Sequence, residues 1–196
     1  MLKRKDHYFK KAKQEGYRAR SAYKLFDINK KYNLIKRSDR ILDLGCSPGS
    51  WLQVAKKLTG EKGLVLGIDI LSIKEIKDIK FIQSDIFDKD LITKIKQISN
   101  EFDIVLSDMA PKTSGIKKID HAKSIDLNKR ALEIAEEILK SNGKFLCKLF
   151  QGEDFPDFLI KLRNKFEFVK SSKPDSSRKE SKEIYIIAKY LKKSLR

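Results

Sequence analysis

The chain has 196 residues, 40% of them hydrophobic, which is enough for one domain with a substantial core. No apolar run approaches the ~18 residues of a membrane span, and Met1–Lys13 lacks the apolar segment of a secretory signal, so we expect a cytoplasmic protein without membrane contact. The formal net charge of +17 favours polyanionic partners such as RNA or DNA.

The basic charge is concentrated near the N-terminus. Residues 1–40 contain fourteen Lys and Arg against four Asp and Glu, a net charge of +10. Aromatic residues alternate with these charges, a pattern that suits phosphate contacts combined with base stacking: Tyr8, Phe9, Tyr17 and Tyr23. We expect residues 1–20 to be a flexible arm that contacts RNA; the alternative is a solvated, lysine-rich surface.

The predicted elements alternate between strands and helices along the chain. Ser21 is a candidate N-cap for a helix over Ala22–Tyr32. The predicted strands are Arg40–Leu44, Leu64–Ile68, Lys80–Gln83, Phe102–Leu106, Lys144–Phe150, Phe166–Lys170 and Glu183–Tyr190. Five more helices are predicted. The first begins at Trp51, a short one lies around Ile73–Ile76, and the third carries an apolar stripe from Leu91 to Ile98. The last two run from about Leu127 to Asn142-Gly143 and over Phe155–Asn164.

This alternation predicts an α/β fold in which a parallel sheet carries helices on both faces, over a single domain of residues 1–196. Ligands of such sheets bind beyond the carboxyl ends of the strands. Several polar or glycine-rich positions fall at those ends: Asp43–Gly49, Asp69, Asp85, Asp108 and Lys148. Cys46 and Cys147 lie in predicted buried positions without metal-ligand spacing, so we expect reduced core cysteines and no metal site.

The loop after the first strand predicts a cofactor site. Gly45 and Gly49 let the backbone approach a ligand, and the following helix offers unpaired N–H groups. Asp43 would repel a pyrophosphate but could hold an ammonium group, which favours the methionine end of S-adenosylmethionine. Asp69 closes the second strand where a ribose presents its hydroxyls, and Asp85 could reach an adenine edge. Taken singly, each could be only a turn or a helix cap.

Four further polar positions need an explanation: Lys24, Asp108, Lys148 and Glu183. Lys148 interrupts an apolar strand, where a lysine is costly unless it is paired or functional. The alternatives are a lysine that extends from the strand end for Lys148, a turn residue for Asp108, and surface positions for Lys24 and Glu183.

Five segments carry a resemblance to a known family: Ser21-Ala22-Tyr23-Lys24-Leu25, Leu42–Trp51, Ser107-Asp108-Met109-Ala110-Pro111, Cys147-Lys148-Leu149-Phe150-Gln151-Gly152 and Ser181-Lys182-Glu183-Ile184-Tyr185. They span nearly the whole chain, and the sequence resembles the FtsJ family of RNA ribose 2′-O-methyltransferases. The resemblance implies a Rossmann-like, seven-stranded sheet whose last strand is antiparallel. It also implies S-adenosylmethionine contacts at Gly49, Trp51, Asp69, Asp85 and Asp108, and a tetrad of Lys24, Asp108, Lys148 and Glu183 in which Lys148 is the base.

The resemblance also suggests the substrate. Bacterial members methylate a uridine 2′-hydroxyl in the A-loop of large-subunit rRNA, so the leading hypothesis is this reaction by a monomer that binds the large ribosomal subunit. The alternatives are a methyltransferase for the tRNA anticodon loop, a non-catalytic RNA-binding assembly factor and, as the weakest, a small-molecule methyltransferase. The basic N-terminal segment would have no role in the last of these.

Overall fold

The computed structural model describes residues 7–111, 114–150, 152–178 and 181–192. The helices in these ranges are α1 (His7–Gln14), α2 (Ala22–Tyr32), α3 (Ser50–Thr59), α4 (Leu91–Ile98), α5 (Lys117–Ile138) and α6 (Phe155–Lys165). The strands are β1 (Arg40–Leu44), β2 (Leu64–Asp69), β3 (Lys80–Gln83), β4 (Phe102–Ser107), β5 (Leu139–Phe150), β6 (Phe166–Ser172) and β7 (Glu183–Leu191).

The strands form one seven-stranded sheet in the order β3-β2-β1-β4-β5-β7-β6. From β3 to β5 in this order, every neighbouring pair of strands is parallel, whereas β7 runs antiparallel to both β5 and β6. The predicted α/β fold with an antiparallel last strand is therefore confirmed. The strand order reverses between β1 and β4, and ligands of such sheets bind at this switch point, beyond the carboxyl ends of the strands.

The central strands are almost wholly apolar because helices cover both faces of the sheet. Along β1, Leu42 and Leu44 pack into one core cluster, which includes residues of α4, α5 and α6. Ile41, on the opposite face, packs into a second cluster with residues of α2 and α3. Strand alternation places Asp43 on the side of Ile41, so its carboxylate lies beneath α2 and α3.

Two predicted helix positions are wrong. Residues 73–76 are described and are not helical; the Glu75 carbonyl accepts a hydrogen bond from the Arg18 guanidinium instead (2.9 Å). The long helix ends at Ile138 rather than at Asn142-Gly143, because Leu139 pairs with Phe102 of β4 and β5 begins there. The same helix begins at Lys117, about ten residues before the predicted start near Leu127.

Residues 1–6 of the expected N-terminal arm lie outside the described residues. The rest of the arm forms α1 and a segment that packs on the domain. Tyr23 is 6% exposed and donates a hydrogen bond to Glu15 Oε2 (3.0 Å), and Tyr17 packs edge-on against Tyr23 and Phe26. These contacts occupy Tyr17 and Tyr23, whereas Phe9 is 56% exposed.

Three findings concern other expectations from composition. Cys46 and Cys147 are buried free cysteines, as predicted. Within the described ranges, no helix is long and apolar enough to cross a membrane. The described side chains also contain no cluster of three or more His, Cys, Asp or Glu residues that could hold a metal ion.

Candidate active site

The loop between β1 and α3 requires glycine at two positions. Gly45 has φ +72°, and a Cβ atom there would lie 2.3 Å from Met109 Cγ. Gly49 has φ +104°, and its Cβ would lie 2.9 Å from an Arg18 guanidinium nitrogen. L-residues rarely adopt such φ values, and neither site has room for a side chain. The two glycines therefore keep this part of the loop backbone free of side chains at the switch point.

Asp43 lies directly before this loop and is fully buried. Neither of its carboxylate oxygens has a hydrogen-bond partner among the described residues. Burial, together with the neighbouring carboxylates of Asp108 and Asp69, raises the pKa of Asp43 well above its ordinary value. A buried polar group without partners is costly, and a cationic ligand would relieve both the desolvation and the repulsion. The ammonium and sulfonium groups of S-adenosylmethionine fit this environment.

Asp69 and Asp85 lie where the sequence predicted them, at the end of β2 and after β3. The Asp69 carboxylate accepts hydrogen bonds from the backbone N–H groups of Ser47 and Leu71, both at 2.8 Å. Asp85 is exposed and accepts from the Phe87 N–H (3.0 Å). These bonds fit the turn-residue alternative, but each carboxylate keeps lone pairs for ribose hydroxyls or an adenine amine.

Trp51 is placed differently from a side chain that lines a cofactor pocket. Its side chain is 2% exposed, its Nε1–H donates to the Ser21 carbonyl (2.9 Å), and its ring packs near Tyr185. Only the backbone N–H, in the first turn of α3, is left for a ligand. Ser21 is not a side-chain cap of α2, because its hydroxyl instead hydrogen-bonds the hydroxyl of Ser50 (2.7 Å).

The four polar residues predicted as a tetrad form two ion pairs. Lys148 Nζ lies 3.0 Å from Asp108 Oδ1 and donates to the Asp108 carbonyl oxygen (2.6 Å). Lys24 Nζ donates to Glu183 Oε2 (2.7 Å). The Lys148 side chain is only 8% exposed, so the alternative of a lysine extending into solvent is excluded. Its position in the apolar strand is explained by the pairing with Asp108.

The two pairs adjoin each other, because Glu183 lies on the same face of β7 as Tyr185, which is opposite Lys148 in the register. Burial opposes ionisation of Glu183, but the Lys24 hydrogen bond and charge, together with the charge of Lys148, outweigh it and lower the pKa of Glu183. Glu183 is therefore a stable anion between two lysines.

A comparison with known families decides the identity of the chain. The model of the FtsJ-like methyltransferase family matches residues 17–191, which is most of the sequence. The chain belongs to the FtsJ-like methyltransferase family. It is therefore a methyltransferase, and its cofactor is S-adenosylmethionine.

The relatives of this FtsJ-like protein are close, and the chain covers from 73% to 100% of their length. Proteins named ribosomal RNA large subunit methyltransferase E are 49% identical in Methanothrix thermoacetophila (95% of this chain, 73% of the relative) and 46% identical in Syntrophobacter fumaroxidans (97% and 98%). The protein of that name from Archaeoglobus fulgidus is 44% identical (98% and 100%).

Solved structures support the same family. A Plasmodium falciparum protein named as a ribosomal RNA methyltransferase superposes with a TM-score of 0.81 at 32% identity, covering 89% of this chain and 98% of that one. A SAM-dependent O-methyltransferase from Thermotoga maritima is similar in fold alone (TM-score 0.57, 16% identity, 86% of this chain and 65% of that one).

Sequence reasoning missed three residues that support this FtsJ-like site. Tyr185 is fully buried opposite Lys148 in the β5–β7 register, and its hydroxyl donates to Asp108 Oδ1 (2.9 Å). The amide of Asn128 on α5 donates to the Lys148 carbonyl (2.8 Å). The period-two spacing of Glu183 and Tyr185, which places both on one face of β7, could have indicated Tyr185.

Arg18 is the third missed residue and lies beside the glycine loop. Its guanidinium donates to the carbonyls of Pro48 and Glu75, both at 2.9 Å. It thus ties the cofactor loop to the segment after β2. Nothing in the spacing of the sequence indicates this contact, because the partners are 30 and 57 residues away.

Proposed function

We propose that the protein transfers a methyl group from S-adenosylmethionine to the ribose 2′-hydroxyl of a uridine in the A-loop of large-subunit rRNA. The observation that carries the reaction is the buried Lys148–Asp108 pair beside the Lys24–Glu183 pair, at the edge of the sheet that holds the glycine loop. The names of the curated relatives support ribosomal RNA of the large subunit as the substrate. The uridine and the A-loop rest on the family resemblance.

The cofactor would bind across the carboxyl ends of β1, β2 and β4. When bound, it supplies an electrophilic methyl group on a sulfonium sulfur. Asp43 would balance the charge of its ammonium group, Asp69 would accept from the ribose hydroxyls, and Asp85 would accept from the adenine amine. Exposed apolar side chains flank these carboxylates, since Ile70 and Phe87 are 55% and 54% exposed. We propose that these two side chains cover the adenine ring.

Lys148 is the proposed base. As the 2′-oxygen forms its bond to the methyl carbon and the carbon–sulfur bond breaks, the hydroxyl proton moves to Lys148 Nζ, which must be neutral at that moment. The two contacts from Asp108 fix the direction of the amine. Lys24 lies in the neighbouring ion pair, and Glu183 holds its ammonium group in place. Positioning of the hydroxyl against the methyl group supplies further acceleration.

The test is methyl transfer to purified large ribosomal subunits that lack native methylation, with labelled S-adenosylmethionine and mapping of the labelled nucleotide. A single 2′-O-methyl uridine in the A-loop is the expected result. Label on tRNA would keep the chemistry and change the substrate. Cofactor binding without transfer to any RNA would favour a non-catalytic assembly factor and overturn the proposal.

We further propose that the enzyme acts as a monomer in the cytoplasm and that residues 1–20 contact RNA. Neutralising five basic residues of that segment should weaken RNA binding and flatten its salt dependence: Lys3, Arg4, Lys5, Lys10 and Lys11. Unchanged affinity and salt slope would exclude the segment from the RNA site. Gel filtration with light scattering tests the monomer.

A further inference from the structure

The strand that carries Lys148 extends beyond its neighbour on one side. Within the described ranges, β4 pairs with β5 as far as Ser107 opposite Cys147. On the other side, β7 continues to pair with β5 through Leu149 and Phe150. The end of β5 that holds the base therefore has a described strand neighbour on the β7 side only. Its backbone groups on the β4 side need other partners.

Two polar side chains of α5 bond to these backbone groups. Asn128 Nδ2 donates to the Lys148 carbonyl (2.8 Å). His121 Nδ1 donates to the Phe150 carbonyl (3.1 Å), while its Nε2 accepts from the Asp154 N–H (3.1 Å). A protonated ring would pair with Asp154 Oδ2, which lies 3.2 Å from Nε2. Nδ1 carries a hydrogen in this neutral tautomer and in the protonated ring, so it is a donor in both.

Both side chains reach the same edge of β5. Asn128 follows His121 by seven residues, about two turns, so both lie on one face of α5. Lys148 and Phe150 are two residues apart, so their carbonyls point to the same side of the strand. The turn after β5 is fitted to the imidazole, because a Cβ atom on Gly152 would lie 2.4 Å from His121 Nδ1. The helix α5 thus takes the place of a neighbouring strand for the last residues of β5.

The burial of Asn128 is not explained by apolar packing. The residue is 1% exposed, and its neighbours on α5, Ile125 and Leu132, belong to an apolar cluster of the core. Among the described residues, nothing hydrogen-bonds its Oδ1. A buried amide with such an acceptor costs stability. What the amide adds at this position is the pair of bonds from Nδ2, to the carbonyls of Lys148 and Ser124.

We infer that Asn128 and His121 are positioning residues for the reaction, which fix the end of β5 so that Lys148 Nζ is directed at the 2′-hydroxyl. This inference rests on the proposed function. Proton transfer needs closely aligned groups, and the position of a side chain depends on that of its backbone. Asp108 holds the amine of Lys148, and Asn128 holds its backbone carbonyl. The base is thus fixed at both ends.

The first experiment compares Asn128→Leu with Leu132→Ala, one turn further along α5. Asn128→Leu removes the bond to the Lys148 carbonyl, whereas Leu132→Ala weakens the packing of the helix and keeps that bond. We expect Asn128→Leu to lower kcat about 10–100-fold, because displacement of a reacting group by about 1 Å costs about 100-fold. The KM values for large subunits and S-adenosylmethionine should change little. Leu132→Ala should lower Tm and leave kcat near that of the unmodified protein.

A double-mutant cycle with the base separates positioning from structural damage. In the Lys148→Ala protein, Asn128→Leu should not lower the residual rate further, because no amine is left to position. A structural defect would lower the rate equally in both backgrounds. His121→Leu should behave like Asn128→Leu with a smaller effect. His121→Asn should restore kcat, because the amide can replace Nδ1 as the donor to the Phe150 carbonyl.

Hydrogen exchange measures the two contacts without catalysis. The backbone amides of residues 148–150 should exchange about 2–12-fold faster in Asn128→Leu and His121→Leu, the effect of one lost hydrogen bond, and those of residues 65–68 in β2 should not. Unchanged exchange would overturn the inference. So would an equal rate loss in both backgrounds of the cycle, or a kcat decrease in Leu132→Ala as large as in Asn128→Leu. Absence of methyl transfer by the unmodified protein would instead overturn the proposed function, and exchange would still test the contacts.

Discussion

The cofactor loop and the tetrad lie at the same edge of the sheet, yet their charges are satisfied in opposite ways. Asp43 is buried, and no described residue hydrogen-bonds its carboxylate. In the tetrad, by contrast, Lys148 and Asp108 lie 3.0 Å apart, and Lys24 and Glu183 lie 2.7 Å apart. The cofactor half is electrostatically incomplete by itself, whereas the tetrad is paired before any substrate arrives.

This difference suggests a division of work between ligand binding and chemistry. A buried carboxylate without partners destabilises the free protein, and a cationic ligand converts that cost into affinity. The paired tetrad instead serves the chemical step, because its groups hold their geometry in advance and need little reorganisation during the reaction. Variants of the first region should therefore alter cofactor affinity and stability, and variants of the second should alter turnover.

The largest expected effect is that of Lys148→Ala. Removal of a general base lowers kcat by about 10²–10⁴-fold, and RNA binding and the KM for S-adenosylmethionine should change little. The matched control is Lys144→Ala on the same strand, where the lysine pairs with Asp39 and the Leu34 carbonyl at the other end of the sheet. Lys144→Ala should lower Tm and leave kcat intact. Full activity in Lys148→Ala would refute the assigned base.

Gly45→Ala tests the cofactor loop. The added Cβ would lie 2.3 Å from Met109 Cγ, and the alanine would have to keep φ +72°. We expect the cofactor Kd, measured by calorimetry, to rise at least about 10-fold, since 1.4 kcal/mol of strain suffices. Gly16→Ala separates the two causes, because Gly16 has φ +76° but no described atom within 4 Å of the added Cβ. The control should lose about 1 kcal/mol of stability and keep its cofactor affinity.

Tyr185→Phe probes the tetrad with a small change. Burial, then the charges of Asp108 and Glu183, raise the pKa of Tyr185 well above its ordinary value, so the phenol stays a donor to Asp108 at all working pH values. Loss of a hydrogen bond to a charged carboxylate costs about 1.5–3 kcal/mol, so kcat should decrease about 10-fold or more. An unchanged kcat with a lowered Tm would make Tyr185 a packing residue only.

Asp43→Asn has the smallest expected effect on the free protein, and we expect it to raise the stability of the fold rather than lower it. The pKa of Asp43 is raised in the folded state. As pH increases above about 3.9, the unfolded chain therefore releases this proton before the folded protein does. The free energy of unfolding falls until the pH reaches the higher pKa of the folded state. The variant lacks this loss. Its Tm should exceed that of the unmodified protein by a margin that grows with pH, while its affinity for S-adenosylmethionine falls.

A Tm difference for Asp43→Asn that is independent of pH would contradict a raised pKa. Unchanged cofactor affinity would show instead that the carboxylate does not balance the ammonium group. Calorimetric scans of the free protein at pH 4 to 8 and titrations with the cofactor distinguish the two results.

The sequence by itself determined the local elements and their order. The bounds of α2 and β3 were predicted to the residue, because apolar periodicity and strand-length runs are local signals. Gly45 and Gly49 were predicted as a ligand loop for the same reason, since positive φ is a property of single residues. The errors, around residues 73–76 and at the end of α5, fall where a distant partner decided the backbone: Arg18 in one case and Phe102 in the other.

Only the tertiary structure decided which polar groups meet. The register of β5 against β7 places Tyr185 opposite Lys148, and the packing of α2 brings Lys24 to Glu183, 159 residues away. The burial of Asp43, whose carboxylate has no hydrogen-bond partner among the described residues, is likewise invisible in the sequence. Local propensity is carried by neighbouring residues, whereas charge pairing depends on distances that exist only once the sheet and its helices have packed.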